Sequence, residues 1–273
     1  MTPTRRPPLS KDTTLCISLA SRPSNLGTRF HNHLYEVLGL DFLYKAFTTT
    51  DIAAAIGGVR ALGIRGCSVS MPFKEAVLDL VDEVEPSAAA IASANTIVNT
   101  DGHLVASNTD YTAVRSLVAD LAPRPFLLRG SGGMGKAVAT ALRDAGFTDG
   151  TVVARNEAAG RSLADTLGLG YADVPDGLTA PMLVNVTPIG MAGAPEASKL
   201  AFAPEVIEAA EVVVDVVAMP AETPLLAAAR AAGKQVVTGT EVVALQAAEQ
   251  FERYTGVRPT PEQVAEASRV SRA

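Results

Sequence analysis

The first part of the chain alternates short apolar runs with stretches of helical periodicity. The runs are rich in β-branched and aliphatic residues, which is typical of strands, and polar or glycine-containing segments separate them. Asp101-Gly102 lies between two of these runs and predicts a two-residue hairpin turn. The pattern predicts a mixed sheet covered by helices. Predicted strands cover 14–20, 42–47, 64–70, 96–99 and 103–106, predicted helices cover 30–38, 51–62 and 111–121, and another short helix is predicted to start at Pro86-Ser87.

A further helix is predicted to begin at Pro72, because proline favours the first turn of a helix. This predicted helix carries Lys74, Val77, Leu78 and Val81. Lys74 would then lie at the mouth of the helix, directly after the strand at 64–70. A lysine in this position is either solvated or directed into a cleft.

After the break at Pro123-Arg124-Pro125, strands and helices alternate regularly. Each predicted strand is nearly continuous in Val, Ile or Leu, as expected for strands that are buried on both faces of a parallel sheet. The second part therefore predicts a Rossmann-type, doubly wound parallel sheet, and the whole chain an α/β protein with two lobes. Predicted strands cover 126–129, 151–154, 182–187, 212–217 and 235–238, and predicted helices cover 136–145, 157–167, 223–232, 241–254 and 261–268.

Composition and charge narrow the class of partner. The chain has 273 residues, is 48% hydrophobic and carries a net charge of -6, so we expect neither nucleic-acid binding nor attachment to a membrane surface. No segment is apolar for long enough to span a membrane, and no signal peptide is evident at the first residues, so we expect a cytoplasmic protein. Cys16 and Cys67 lie in apolar runs and are expected to be buried free thiols, and no spacing indicates a metal site.

A glycine-rich loop at 130–135 follows a predicted strand and precedes a predicted helix. The spacing Gly-x-Gly-x-x-Gly in this context is typical of a loop that lets backbone N–H groups approach a dinucleotide pyrophosphate. A purely structural turn is the alternative. The same residues resemble a P-loop, but Ala137 stands where the hydroxyl that binds Mg²⁺ is required, which excludes a kinase or an ATPase.

Arg155 follows the strand at 151–154, where a Rossmann fold places the adenosine ribose. An acidic residue there would indicate NAD, whereas an arginine can pair with the 2′-phosphate of NADP. We therefore expect NADP, with NAD less favoured, although a solvated arginine is the alternative and Glu157 lies nearby.

Lys74, Asn95 and Asp110 each lie at the end of an apolar run or in a turn, where side chains can converge. A carbonyl that accepts a hydride becomes an alkoxide, and this alkoxide needs a proton donor and positive charge beside it. A protonated lysine supplies both, and an aspartate could hold the ammonium group in place and share in proton transfer. We therefore predict a catalytic lysine at position 74.

Six motifs, in this order, make the chain after residue 13 resemble the shikimate dehydrogenases, and most of all the divergent shikimate-dehydrogenase-like branch. The motifs are Val69-Ser70-Met71-Pro72-Phe73-Lys74-Glu75, Ala94-Asn95-Thr96, Asn108-Thr109-Asp110, Gly130-Ser131-Gly132-Gly133, Asn185-Val186-Thr187-Pro188-Ile189-Gly190-Met191 and Gln246.

The resemblance implies NADP-linked interconversion of shikimate and 3-dehydroshikimate, a step of aromatic amino-acid biosynthesis, with Lys74 and Asp110 as the catalytic pair. It implies a substrate-binding lobe of residues 1–112 and 238–273, an NADP-binding Rossmann domain of residues 113–237, and a cleft between them. Ser70, Asn95 and Gln246 would bind substrate hydroxyls. The implied cofactor residues are Gly130, Ser131, Gly132, Gly133, Met134, Gly135, Arg155, Thr187 and Gly239.

The first loop departs from the family pattern. Its members usually have Ser-x-Ser-Pro here to bind the substrate carboxylate, whereas this chain leaves Ser21, Ser24 and Thr28 as candidate hydroxyls and Arg29 as a candidate cation. The substrate is thus expected to be shikimate or a related polyhydroxy acid such as quinate, bound by a monomer or a homodimer. A low-activity protein that binds shikimate or NADP for regulation is the alternative from another class, and a related dehydrogenase for another carbonyl substrate is a third.

Overall fold

The computed structural model describes residues 6–273, which form two compact α/β units. One unit comprises the chain up to Thr109 together with Ala244–Ala273, and the other is Asp110–Val243. Each unit contains its own six-stranded sheet. The predicted two-domain α/β fold is confirmed. Among residues 6–273, no helix is long and apolar enough to cross a membrane.

The sheet of the first unit is mixed, with the strand order β2-β1-β3-β5-β6-β4. β1 is parallel to β2 and β3, whereas β5 is antiparallel to both β3 and β6. The carboxyl ends of β1, β3 and β6 therefore lie at the same edge of the sheet as the start of β5. The strands are β1 (Thr14–Ala20), β2 (Phe42–Thr48), β3 (Gly66–Val69), β4 (Glu83–Val84), β5 (Thr96–Thr100) and β6 (His103–Ser107).

Two hydrophobic cores cover the two faces of this sheet, because alternate residues of a strand point to opposite faces. One core contains Cys16, Leu34 and Phe251, and the other contains Ile56 and Cys67. Both cysteines are buried free thiols, as predicted. The helices are α1 (Leu26–Leu38), α2 (Ile52–Ala61), the short α3 (Pro86–Ala89), α9 (Gly239–Thr255), which begins in the second unit, and α10 (Pro261–Arg272).

The sheet of the second unit is entirely parallel, with the strand order β9-β8-β7-β10-β11-β12. Counted from β7, this is the order 3-2-1-4-5-6 of a doubly wound dinucleotide-binding fold, which confirms the prediction. The strands are β7 (Phe126–Arg129), β8 (Gly150–Val153), β9 (Gly170–Ala172), β10 (Met182–Asn185), β11 (Val212–Asp215) and β12 (Gln235–Thr238). The helices are α4 (Thr109–Val118), α5 (Gly133–Asp144), α6 (Glu157–Leu167), α7 (Pro204–Ala209) and α8 (Pro224–Ala231).

The prediction of a helix that begins at Pro72 is wrong. Lys74 lies in a turn, and a short 3-10 helix, Ala76–Leu80, follows it. Val81 is extended because the next residue joins the sheet, where the Asp82 N–H donates to Leu104 O at 3.0 Å. Pairing with β6 thus ends the helix after one turn. The strand β9 and the helix α7 were not predicted.

Candidate functional site

The predicted substrate-binding residues of the first unit gather at one edge of its sheet. Ser21 follows β1, Ser70 follows β3 and Asn95 precedes β5. Backbone hydrogen bonds join these segments: Val69 N–H donates to Asn95 O at 2.8 Å, and Ala94 N–H donates to Lys74 O at 2.8 Å. The turn that carries Lys74 is therefore fixed by main-chain bonds to the start of β5.

Three side chains form a hydrogen-bonded group at this edge, and we call Asn95, Thr109 and Gln246 the Asn95 cluster. Asn95 Oδ1 accepts the Thr109 N–H at 2.8 Å, and Asn95 Nδ2 donates to Gln246 Oε1 at 3.4 Å. Thr109 Oγ1 lies 3.3 Å from the same Gln246 oxygen. Asn95 and Thr109 are buried, whereas Gln246 is partly exposed. The structure thus brings together two predicted substrate residues, Asn95 and Gln246, with Thr109, which was not among the predicted site residues.

A buried layer supports the Asn95 cluster. Gln250, one turn after Gln246 on α9, donates from Nε2 to Thr96 Oγ1 at 2.9 Å and accepts from Ser68 Oγ at 2.9 Å. The Tyr44 hydroxyl donates to the same Ser68 oxygen at 2.8 Å. Sequence reasoning missed this layer, although an amide four residues after Gln246 shares its face of the helix and was a usable signal.

The other predicted catalytic and substrate-binding residues differ in their environments. Lys74 is half-buried, and Asp110 is buried as the residue that directly follows Thr109 in α4. Ser21 Oγ is exposed and lies 3.4 Å from Met71 O. Thr28 Oγ1 is buried, and within residues 6–273 it has no hydrogen-bond partner. No hydrogen bond between described residues joins Ser21 or Thr28 to the Asn95 cluster.

The glycine loop of the second unit is tightly packed at Gly130 and Gly135 and open at Gly132 and Gly133, where, among the described residues, a Cβ would meet no atom of another segment within 4 Å. Gly130 has φ of +119°, which a residue with a side chain rarely adopts, and a Cβ there would lie 2.8 Å from Val186 Cγ2. A Cβ at Gly135 would lie 2.8 Å from Gly130 O. Because α5 begins at Gly133, its first N–H groups and the positive end of its dipole lie in this loop. These residues therefore fit a dinucleotide pyrophosphate.

Thr187 is held by a buried polar network at the carboxyl edge of the second sheet. Asn185 Oδ1 accepts from Thr187 Oγ1 at 2.6 Å, and Asn185 Nδ2 donates to Asp215 Oδ1 at 3.0 Å. Asp215 Oδ2 in turn accepts from Thr223 Oγ1 at 2.6 Å. Burial raises the pKa of Asp215, and these hydrogen bonds oppose the shift. Asn185 and Asp215 were not among the predicted site residues, although each is a polar residue that ends an apolar strand.

The other predicted cofactor residues are differently placed. The Arg155 side chain is 80% exposed, and its Nη2 lies 3.9 Å from Glu196 Oε2. Gly239 has a structural reason to be glycine, because a Cβ there would lie 2.4 Å from the backbone of Val217. Its cofactor contact stays a prediction. In the part of the chain that is described, no group of three His, Cys, Asp or Glu side chains could hold a metal ion.

Comparison with known proteins places these features in a family. The family model described as the shikimate dehydrogenase substrate binding domain matches residues 24–97. A shikimate dehydrogenase-like protein of Haemophilus influenzae is 52% identical over 97% of this chain and 98% of its own length. A shikimate dehydrogenase (NADP(+)) of Streptococcus uberis is 36% identical over 89% of this chain and 91% of its own length.

Solved structures agree in fold over nearly the whole chain. A shikimate 5-dehydrogenase-like protein, 52% identical, superposes with a TM-score of 0.94 over 97% of this chain and 100% of its own. Shikimate 5-dehydrogenase from Thermus thermophilus in complex with NADP(H) and shikimate, 31% identical, gives 0.84 over 94% and 99%. Quinate dehydrogenase from Corynebacterium glutamicum in complex with NAD, 27% identical, gives 0.86 over 94% and 98%. With this coverage and identity, the chain belongs to the shikimate dehydrogenase family, which is a family of oxidoreductases.

Proposed function

We propose that the protein is an NADP-dependent oxidoreductase that interconverts shikimate and 3-dehydroshikimate. The observation that carries this proposal is the Asn95 cluster, which places amide and hydroxyl groups at the same sheet edge as the turn of Lys74. Amides and hydroxyls are the groups that bind a polyhydroxylated ring, because each can donate and accept. Asn95, Gln246 and Ser70 would hold substrate hydroxyls, and Ser21 and Thr28 would contribute near the carboxylate.

Lys74 and Asp110 would carry the proton transfer. In reduction, the Lys74 ammonium would donate a proton to the alkoxide oxygen as the carbonyl is converted to an alcohol. In oxidation, the same oxygen loses its proton, and Asp110 would take part because a carboxylate is a base. Asp110 directly follows Thr109, whose N–H donates to Asn95 Oδ1 at 2.8 Å.

The second unit would hold NADP, which supplies the hydride acceptor when it is bound. The loop at 130–135 fits the pyrophosphate, since the backbone at Gly132 is open to a close approach and the first N–H groups of α5 lie in the loop. Arg155 would pair with the 2′-phosphate and Thr187 would line the same edge. We accordingly assign substrate binding to 1–112 with 238–273 and NADP binding to 113–237. The reaction would belong to aromatic amino-acid biosynthesis in the cytoplasm.

The test is the rate of NADPH formation, measured by absorbance, with shikimate and NADP⁺. Lys74→Met should lower kcat by about 100-fold or more, because general acid–base groups usually contribute at least about 100-fold to the rate. Lys45→Met is the matched control, because Lys45 is an exposed lysine on β2 of the same unit. A loss of less than tenfold for Lys74→Met would remove the lysine from the chemistry.

A second candidate activity is the oxidation of quinate or of another polyhydroxy acid. It is favoured by the segment at 25–30, which is the first turn of α1 and lacks the family's Ser-x-Ser-Pro, and by the likeness to a quinate dehydrogenase. Quinate and shikimate should therefore be assayed side by side with NADP⁺ and NAD⁺. If neither acid is oxidised with either nucleotide, although one of them binds tightly, the protein is a binding protein and the enzymatic proposal fails.

A further inference from the structure

The second unit contains a group of cations around one carboxylate, next to the glycine loop. Glu196 Oε1 lies 3.4 Å from Lys199 Nζ, and Glu196 Oε2 lies 3.9 Å from Arg155 Nη2. Arg129, the last residue of β7, donates from Nη1 to Ala201 O on the same loop as Glu196. Arg155 and Lys199 thus pair with the same glutamate, and Arg129 is bound to the loop that carries it.

Arg129 belongs to this group electrostatically. Burial lowers the pKa of Arg129, the charge of Glu196 opposes this shift, and the neighbouring Arg155 adds to the lowering. Asp176 is a further carboxylate whose charge acts on Arg129. Lys199 adds a further cation beside Glu196. Because Arg129 is half-buried, its guanidinium attracts an anion more strongly than a fully solvated guanidinium does.

We propose that Arg129 and Lys199 complete the 2′-phosphate site of Arg155, and that Glu196 limits the preference for NADP over NAD by competing with the phosphate for these cations. This inference rests on the proposed NADP-dependent function and goes beyond it, because Arg155 alone was assigned to the phosphate there. Glu196 neutralises part of the cationic group in the absence of the nucleotide. When NADP binds, the 2′-phosphate competes with this carboxylate for the same cations.

The charge of Glu196 should affect the binding of NADP and not that of NAD. NADP and NAD differ only in the 2′-phosphate, so the charge of Glu196 opposes NADP binding and leaves NAD binding nearly unchanged. Glu196→Gln keeps the size of the side chain and removes the charge. Since an exposed ion pair contributes up to about 1 kcal/mol, we expect Kd for NADP to fall roughly three- to fivefold.

Arg129→Met tests the other half of the proposal. Loss of a charge-assisted contact to the phosphate should raise Kd for NADP about tenfold or more and leave Kd for NAD unchanged. If Arg129 only supported the loop through Ala201, both nucleotides would bind more weakly by similar factors. The ratio of the two Kd values therefore separates a phosphate contact from a structural role.

The experiment is titration of the full chain with NADP⁺ and with NAD⁺ by calorimetry at low and high salt. The control is Glu222→Gln, which removes a carboxylate from another exposed pair of the same unit, with Arg230 at 3.4 Å. The proposal is supported if Glu196→Gln tightens NADP alone and if salt reduces the gain. It is overturned if the ratio of Kd values does not change in Glu196→Gln or in Arg129→Met. Wild-type protein that binds neither nucleotide would overturn the proposed function as well.

Discussion

Two glutamines on one helix have different roles at the residue scale. Gln246 and Gln250 are one turn apart on α9, so both face the start of β5. Gln246 is partly exposed and contacts Asn95 Nδ2, whereas Gln250 is buried and bonds Ser68 and Thr96. An exposed amide can exchange partners with a ligand, and a buried one is committed to the fold.

We therefore expect Gln246→Ala to raise KM for shikimate about tenfold, the loss of roughly one ligand hydrogen bond, and to leave the melting temperature within a degree or two. Steady-state kinetics and a thermal melt measure the two quantities. Gln250→Ala is the matched variant, since it removes one buried hydrogen bond from Ser68 and one from Thr96 and should cost about 1 to 3 kcal/mol of unfolding free energy. A lower melting temperature for Gln246→Ala than for Gln250→Ala would contradict this division.

Few signals in the sequence predict the buried hydrogen-bonded layer around Gln250. Ser68 and Gln250 are 182 residues apart along the chain, and no local signal pairs a strand serine with a late helical glutamine. Asn95 and Gln246 were predicted because they stand in motifs of the family. Whether a glutamine side chain binds a ligand or supports a neighbouring residue depends on how deeply it is buried. The hydrophobic periodicity predicts which face of a helix is buried, but it does not distinguish residues on that face.

At the scale of the element, local signals gave correct predictions where a short segment is sufficient. Asp101-Gly102 forms the turn between β5 and β6, with φ of +52° and +90°, because few dipeptides adopt two positive φ angles in sequence. Prediction failed where a distant strand decides the outcome. Val81 is extended because the chain next pairs with β6, and β9 has three residues, one of them Gly170, with no apolar run to mark them.

The cap of α8 links an element to the candidate site. Thr223 Oγ1 accepts the Leu226 N–H at 3.1 Å and donates to Asp215 Oδ2 at 2.6 Å, so one hydroxyl both begins the helix and holds the network that ends at Thr187. Its side chain is fully buried.

Thr223→Val keeps the shape and removes both hydrogen bonds, so we expect a loss of about 2 to 4 kcal/mol in unfolding free energy. Chemical denaturation checks this value. Thr223→Ser retains the hydroxyl and should lose less than about 1 kcal/mol, which makes it the control. A loss in Thr223→Ser as large as the loss in Thr223→Val would mean that the methyl group stabilises the fold as much as the hydroxyl does.

At the scale of the whole molecule, each unit has its own sheet and its own buried polar group. The parallel sheet and the antiparallel hairpin followed from the hydrophobic pattern, because continuous apolar strands predict a parallel sheet and Asp101-Gly102 predicts antiparallel pairing. Which polar residues would be buried did not follow from this pattern. His31 is the clearest case: no pattern in the sequence marks it as a core residue, yet it is fully buried and stacked on Tyr44 at 4.3 Å between ring centroids.

His31 should make the first unit sensitive to acid. Burial lowers the pKa of His31 from 6.5 to about 3, and nearby Gln250 opposes the shift only in part. Among the described residues, neither ring nitrogen of His31 has a hydrogen-bond partner. Below pH 6.5 the unfolded chain binds a proton that the folded unit does not, so the free energy of unfolding falls as the pH falls from 6.5 towards 3.

The slope contributed by this one residue approaches about 1.4 kcal/mol per pH unit below pH 5.5. Urea denaturation of wild type and of His31→Phe at several pH values measures it, because phenylalanine preserves the stacked ring and cannot take up a proton. The difference between the two unfolding free energies should shift in favour of His31→Phe by about 2 to 3 kcal/mol between pH 7 and pH 4.5. His103→Gln, which alters an exposed histidine of the same unit, should follow wild type. Parallel curves for wild type and His31→Phe would mean that His31 does not govern acid unfolding, and hydrogen exchange would then locate the sensitive group in one unit or the other.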